Sequence, residues 1–310
     1  MIRLSIIIPF YNVEQYIAQC LDSVYQQDIP ETEYEVICVN DASPDNSREI
    51  VKQYQKKHKN LILVEHEKNK KLGGARNTGI KAAQGTYVLF VDSDDMLVAN
   101  CIGRLLEEME DGCEYIHFNN KTITGEVSDE SAKYGESDVM SGTDLFLNKE
   151  VPWTAQIVAW NKIYRLDFLK QNNLYFVEDL MYEDNDFAFR LSAIAKKCRH
   201  TDYSPYIYRE NPDSVTGQSV NAQRLLYWQK LWPYMLVLVP QLQKKDRRYN
   251  EVIRAYFEDD LYSMLRHLQG LNEDDKKMVK SASPISQWCS VLRFLPLRRR
   301  IKYIWKLLTV

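Results

Sequence analysis

Asp92, Asp94 and Asp95 close the stretch Thr-Tyr-Val-Leu-Phe-Val-Asp-Ser-Asp-Asp at 86–95. Carboxylates are rarely buried unless paired or bound to a cation. Hard oxygen ligands that leave positions open suit Mg2+ or Mn2+ carrying a phosphate. The alternative is an acidic turn that caps the following helix. Other groups of similar promise are Asp41, after a second apolar run, and Arg76, whose planar fork matches phosphate or carboxylate. Glu183 and Asp184 open a further helical stretch, where negative charge also suits the helix dipole without any chemistry.

These residues need elements to position them. Tyr87–Val91 is apolar, aromatic and β-branched, as in a strand buried on both faces. Leu4–Pro9, Tyr34–Asn40 and Leu61–Glu65 read as strands of the same sheet, and Tyr115–Phe118 as a later one. Between them, Val13 to Tyr25 has helical apolar spacing with Asn12 as an N-cap, Ile50 to Tyr54 marks a second helix, and Asn100–Glu110 another. The order implies a mostly parallel, right-handed, doubly wound α/β sheet. Three strand ends, Pro9–Asn12, Asn40–Ser43 and Asp92–Asp95, could then line one edge, where ligands bind in open sheets. A glycine-rich run, Leu72–Gly79, lies between two of these strands and is either a close-approach loop or a helix start. No dinucleotide or P-loop glycine fingerprint occurs.

Four segments in order, Ile-Ile-Ile-Pro-Phe-Tyr-Asn, Val-Asn-Asp-Ala-Ser, Gly-Gly-Ala-Arg-Asn-Thr-Gly-Ile and Phe-Val-Asp-Ser-Asp-Asp, resemble the family-2 glycosyltransferases of the GT-A fold over about the first 120 residues. The resemblance implies that the loop with Pro9, Tyr11 and Asn12, together with Asp41, holds a nucleotide base. It places Arg76 near the nucleotide, Asp94 and Asp95 at a metal, and Asp92 and Asp94 at the ribose-diphosphate. Asn40 stands where many relatives carry a first aspartate. Glu183-Asp184 matches the motif from which inverting relatives take their general base, which assigns Asp184 the base and Glu183 its support. Trp160, in Trp-Asn-Lys-Ile-Tyr-Arg, becomes a ring facing the acceptor sugar, with a core tryptophan as the alternative. Arg209, followed by Ser214-Val215-Thr216, becomes a contact to the donor diphosphate in a flexible loop. The implied activity is metal-dependent, inverting hexosyl transfer from a nucleotide sugar, expected to be a UDP-sugar. The acceptor is a glycan or lipid-linked glycan in surface polysaccharide synthesis. Rival readings are a sugar-phosphate nucleotidyltransferase and an inactive carbohydrate-binding scaffold. The first expects a phosphate loop with Arg and Lys after strand one, where Phe10-Tyr11-Asn12 stands.

The rest of the chain sets bounds. Residues 119–142 are polar, with at most an edge hairpin around Lys121–Val127. From residue 221 the chain turns helical, which divides it into a catalytic region, 1–220, and a helical extension, 221–310. Pro233 and Pro240 interrupt its first apolar run, Tyr249–Leu271 is amphipathic and Asn272–Ser286 is a polar break. Trp288–Leu308 mixes apolar residues with Arg and Lys and holds no acid. It suits an anionic membrane surface, or else a helix docked on the protein or on a second subunit of a homodimer. A net charge of -3 gives no reason to propose nucleic acid. Six scattered cysteines, no signal-like start and no bilayer-length apolar run suggest a cytoplasmic protein, peripheral to the inner face of a membrane.

Overall fold

The computed structural model describes residues 1–124, 127–130, 134–211 and 220–309. They form two compact units, Met1–Asp179 with Glu183–Gly217, and Leu180–Tyr182 with Gln218–Val310.

The first unit is built on one mixed sheet. Its strands are β1 (Leu4–Phe10), β2 (Tyr34–Asn40), β3 (Leu61–Glu65), β4 (Tyr87–Phe90), β5 (Met96–Leu97), β6 (Tyr115–Thr124), β7 (Val127–Glu130), β8 (Lys162–Arg165) and β9 (Cys198–Arg209). They run in the order β3-β2-β1-β4-β8-β6-β9-β5, with β7 on β6. β1 pairs in parallel with β2 and β4, and β2 with β3. β8 enters antiparallel between β4 and β6. The continuous apolar runs of β1 and β2 have both faces covered: Ile6 and Ile8 join one core cluster, Ile7 the other.

Among the described residues eight α-helices accompany these strands: α1 (Ile17–Tyr25), α2 (Ser47–Lys57), α3 (Lys71–Ala82), α4 (Ile102–Glu108), α5 (Gly142–Phe146), α6 (Trp153–Gln156), α7 (Leu166–Gln171) and α8 (Glu183–Ile194). The glycine-rich run belongs to α3. Its glycines let the helix lie close to the sheet, since a Cβ on Gly79 would sit 2.3 Å from Ile7 Cγ2.

Several sequence expectations shift. Asn12 does not cap α1, which starts at Ile17 after Tyr16; Asn12 instead adopts φ 56 in the loop. The expected hairpin is β6–β7, but β6 is much longer than Tyr115–Phe118, because it pairs with β8, β9 and β7. The segment through Arg209 is strand, not flexible loop. Ser214-Val215-Thr216 lies outside the described residues.

The second unit is helical: α9 (Ala222–Lys245), α10 (Tyr249–Gln269), α11 (Glu273–Ala282), α12 (Ile285–Leu292) and α13 (Leu297–Thr309). α9 runs through Pro233 and Pro240. The two prolines are seven residues apart and both exposed, so their missing N–H groups fall on the water-facing side. The expected polar break is α11. Asn272 Oδ1 accepts from Asp275 N at 2.8 Å, acids fill its first turn and Lys280 its last.

Candidate active site

The carboxyl ends of β1, β2 and β4 form one polar edge. After β1, Tyr11 is 49% exposed, while Pro9 is buried inside the strand opposite Val39 and shapes the loop rather than presenting a side chain. The Asn12 N–H donates to Ser43 Oγ (2.8 Å) and the Val13 N–H to Ser47 Oγ (3.2 Å), which ties this loop to the next. After β2, Asn40 Oδ1 accepts from Ser43 N at 2.9 Å and closes a turn in which Ala42 holds φ 60. An amide oxygen performs this acceptor task as well as a carboxylate, which accounts for Asn40. Two residues without glycine's freedom thus occupy left-handed backbone at the same edge, a cost of order 1–3 kcal/mol each that clusters at binding sites.

Asp41 is buried. Its Oδ1 accepts from His66 Nδ1 (2.7 Å) and Lys70 N (2.8 Å), and His66 Nε2 lies 2.8 Å from Thr78 Oγ1. His66 follows β3 directly; extending the strand-end rule one strand further finds it, and the sequence reading did not.

At the end of β4 the three aspartates differ. Asp95 is 1% exposed and has both oxygens engaged: Oδ2 accepts from Tyr206 Oη (2.7 Å), Oδ1 from Arg209 N (2.8 Å). Burial, then Asp92 and Asp94, push its carboxyl well up. Asp94 Oδ2 accepts a 3.1 Å bond from Asn211 Nδ2. Burial and then Asp92 push its carboxyl up, so its ionised form calls for a cation. Arg209 is half-buried beside it, with Nε donating to Asp94 O (3.0 Å) and Nη2 to Gln19 Oε1 (2.7 Å). Among the described residues no three His, Cys, Asp or Glu side chains converge as a self-contained metal site. Mg2+ is commonly held by one or two carboxylates plus substrate phosphates, and Asp94 with Asp92 fits that smaller donor set.

Arg76 of α3 joins this edge to α8. It is fully buried, between the rings of Phe90 and Phe176. Nη2 donates to Asp92 Oδ1 (2.8 Å); Nη1 donates to Asp184 Oδ1 (2.6 Å) and Glu183 Oε1 (3.0 Å). The guanidinium expected near the nucleotide is therefore spent on three carboxylates and acts through them. Gly73 permits this approach: a Cβ there would lie 2.6 Å from Val177 O and 3.0 Å from Glu183 Cγ. Burial, then the Asp184 charge, raise Glu183 to about 8. Asp184 is also pushed up by burial, but it holds the shortest Arg76 bond and accepts from Ala159 N at 3.3 Å. We assign the ionised state to Asp184 and the proton to Glu183.

Trp160 is half-buried, stacked on Tyr206 (4.6 Å between centroids) and Tyr208 (5.6 Å). Beside it, Lys162 is buried, a feature the sequence reading passed over. Its Nζ donates to Gln156 O (2.7 Å), Val158 O (2.8 Å) and Asn161 Oδ1 (2.8 Å), and burial pushes it down to about 7. These bonds fix the segment that presents the Ala159 N–H to Asp184. Asn161 continues to His117 (2.9 Å), and His117 Nδ1 lies 2.6 Å from His200 Nδ1.

A carboxylate-lined edge at the switch of a doubly wound sheet, with an acid pair poised on a helix start, defines a GT-A enzyme fold. The family model "Glycosyl transferase family 2" matches residues 5–172, and the chain belongs to that family. It is 36% identical over 222 residues to the uncharacterized glycosyltransferase EpsJ of Bacillus subtilis, covering 68% of this chain and 62% of that one. It is 35% identical over 209 residues to the poly(ribitol-phosphate) beta-glucosyltransferase of Bacillus spizizenii, covering 66% of this chain and 32% of that one. The chain thus spans less than two thirds of either relative. The crystal structure of S. aureus TarS 1-349 in complex with UDP-GlcNAc superposes with a TM-score of 0.74 at 24% identity, over 96% of this chain and 82% of that one. That likeness shows the fold.

Proposed function

We propose that this chain is an inverting hexosyltransferase that moves a sugar from a UDP-sugar to a hydroxyl of a surface glycan or lipid-linked glycan. One observation carries the reading: a single buried arginine ties the strand-end Asp92 to Glu183 and Asp184, so that the donor edge and a candidate base form one electrostatic unit. The kinship with a relative named for glucosyl transfer to poly(ribitol phosphate) supports a cell-envelope polymer as acceptor.

In this reading Tyr11, Asn12 and Asp41 receive the base. Asp41 Oδ1 takes both bonds described above, and Oδ2 would accept from the base's donors. Arg209 contacts the diphosphate. Asp94, with Asp92 beside it, holds the divalent cation, Mn2+ or Mg2+; Asp95, expected as a second ligand, braces β9 instead. A bound cation supplies charge stabilisation to the departing nucleoside diphosphate. Asp184 accepts the acceptor hydroxyl's proton as that oxygen attacks the anomeric carbon and the bond from that carbon to the diphosphate oxygen breaks. One displacement inverts the configuration. Trp160 offers a flat wall to the acceptor sugar.

The test is a thermal-shift panel of UDP, GDP, CDP and their sugars, each with and without Mn2+. Binding to the folded state raises the melting temperature by mass action. A shift with UDP ligands that needs Mn2+ and is lost in Asp94→Ala is the expected result. No shift with any nucleotide overturns the reading, and a metal-independent shift removes Asp94 from its role.

A further inference from the structure

The basic tail does not behave as one surface. Trp288, Val291 and Leu292 of α12 are buried, and so is Tyr303 of α13. Arg299 of α13 is ion-paired with Glu258 of α10, so this side of α13 is docked within the helical unit. The other side is not. Leu297 is 67% exposed, Ile301 60%, Ile304 41% and Trp305 64%. At about 100° per residue these four fall within an arc of roughly 100°. Arg298 and Lys302 flank the arc on one side and Arg300 on the other; the first two are exposed. From Trp288 to Thr309 there is no acid.

Large apolar side chains exposed as one stripe mark a surface with a partner. The flanking charge selects which. A symmetric contact of this face with a second copy would bring the cations of two α13 helices onto one interface, and α13 itself carries no carboxylate to oppose them. An anionic lipid surface meets every term: cations at headgroup level, aliphatic side chains below, and a tryptophan at the boundary. Among the described residues no helix is long and apolar enough to cross a membrane.

We propose that the Leu297–Trp305 face of α13 docks on the headgroup region of an anionic phospholipid bilayer. This goes beyond the catalytic reading and does not depend on it.

The test is flotation of the full chain with vesicles of phosphatidylglycerol and phosphatidylcholine, against vesicles of phosphatidylcholine alone. Binding to the anionic vesicles should be roughly tenfold tighter or more and should weaken with salt. Arg298→Gln with Lys302→Gln, and separately Leu297→Ser with Ile301→Ser, should each reduce it by about tenfold, with circular-dichroism melting unchanged because all four side chains are exposed. Brominated lipid should quench tryptophan emission in the parent chain and less in Trp305→Phe. No binding by a folded chain overturns the proposal. So does binding indifferent to both double variants, or a dimer in ultracentrifugation that Leu297→Ser with Ile301→Ser dissociates, which would give the face to a second copy.

Discussion

Asp95 follows β4 and Asp184 opens α8, but Asp95 is held by a phenol and a backbone N–H, while Asp184 shares one guanidinium with Asp92 and Glu183. Both oxygens of Asp95 are engaged and the residue is buried. Asp184 keeps 17% of its side chain open. Asp95 is fixed by neutral donors, and the charges that reach it, those of Asp92 and Asp94, only raise its carboxyl further. A shared cation couples three carboxylates, so the charge on one is set by the state of the others. Two acids that look alike in sequence thus sit in different electrostatic settings.

Removing Arg76 should break this contrast most severely. Arg76→Met leaves three carboxylates without their cation, at a cost of about 3–5 kcal/mol by analogy with other broken buried pairs. Urea denaturation should show a lower midpoint than for Asp95→Asn, where the matching loss is about 1–3 kcal/mol. Equal losses would mean that Arg76 is not the hub.

Asp184→Asn should keep the fold and the nucleotide-induced thermal shift while turnover falls by about 10²- to 10⁴-fold. Retained turnover assigns the base elsewhere.

Glu183 sharpens the comparison through pH. Its carboxyl is raised from 4.5 to about 8 in the folded chain, so the folded state binds the proton more tightly than the unfolded one. That contribution is complete below the unfolded value and is lost as pH rises through about 8. The melting temperature of Glu183→Gln should therefore gain on that of the parent chain as pH climbs from 5 to 8. A constant difference would show that Glu183 is ionised throughout.

The smallest effect belongs to Tyr206→Phe. It removes the bond to Asp95 and the one that Tyr206 Oη accepts from the Asp92 N–H (3.1 Å), and should cost about 1–2 kcal/mol with little change in the pH profile. A shifted profile would mean that the Tyr206 hydroxyl carries a coupling between Asp95 and the Arg76 cluster.

How far the sequence carries depends on how each element earns its stability. β1, β2 and β4 are buried on both faces and read directly as apolar runs, and their polar ends follow. β9 reads Cys-Arg-His-Thr-Asp-Tyr-Ser-Pro-Tyr-Ile-Tyr-Arg, without alternation, because it pairs with β6 and β5 in turn and shifts register near Phe118. α11 buries Val279 and little else, so no apolar period announces it; its caps and charges do. At the site, the residue types were legible and their partners were not. Nothing local says that Arg76 meets Glu183 and Asp184, or that Lys162 is buried against carbonyl groups. A lysine flanked by Trp160-Asn161 and Ile163-Tyr164 was the available signal for the latter.

The strand order has a consequence for synthesis. β3-β2-β1-β4 is complete once residue 90 is made, but β5 waits for β9, with Met96 opposite Ile207. Arg76 therefore leaves the ribosome well before Glu183 and Asp184, and in the interval its guanidinium has no carboxylate beyond Asp92 to meet. The β3-β2-β1-β4 half of the sheet can pair early, as local contacts favour. Glu183 and Asp184 arrive with the last part of the unit, so the carboxyl cluster around Arg76 closes only when that unit is nearly finished.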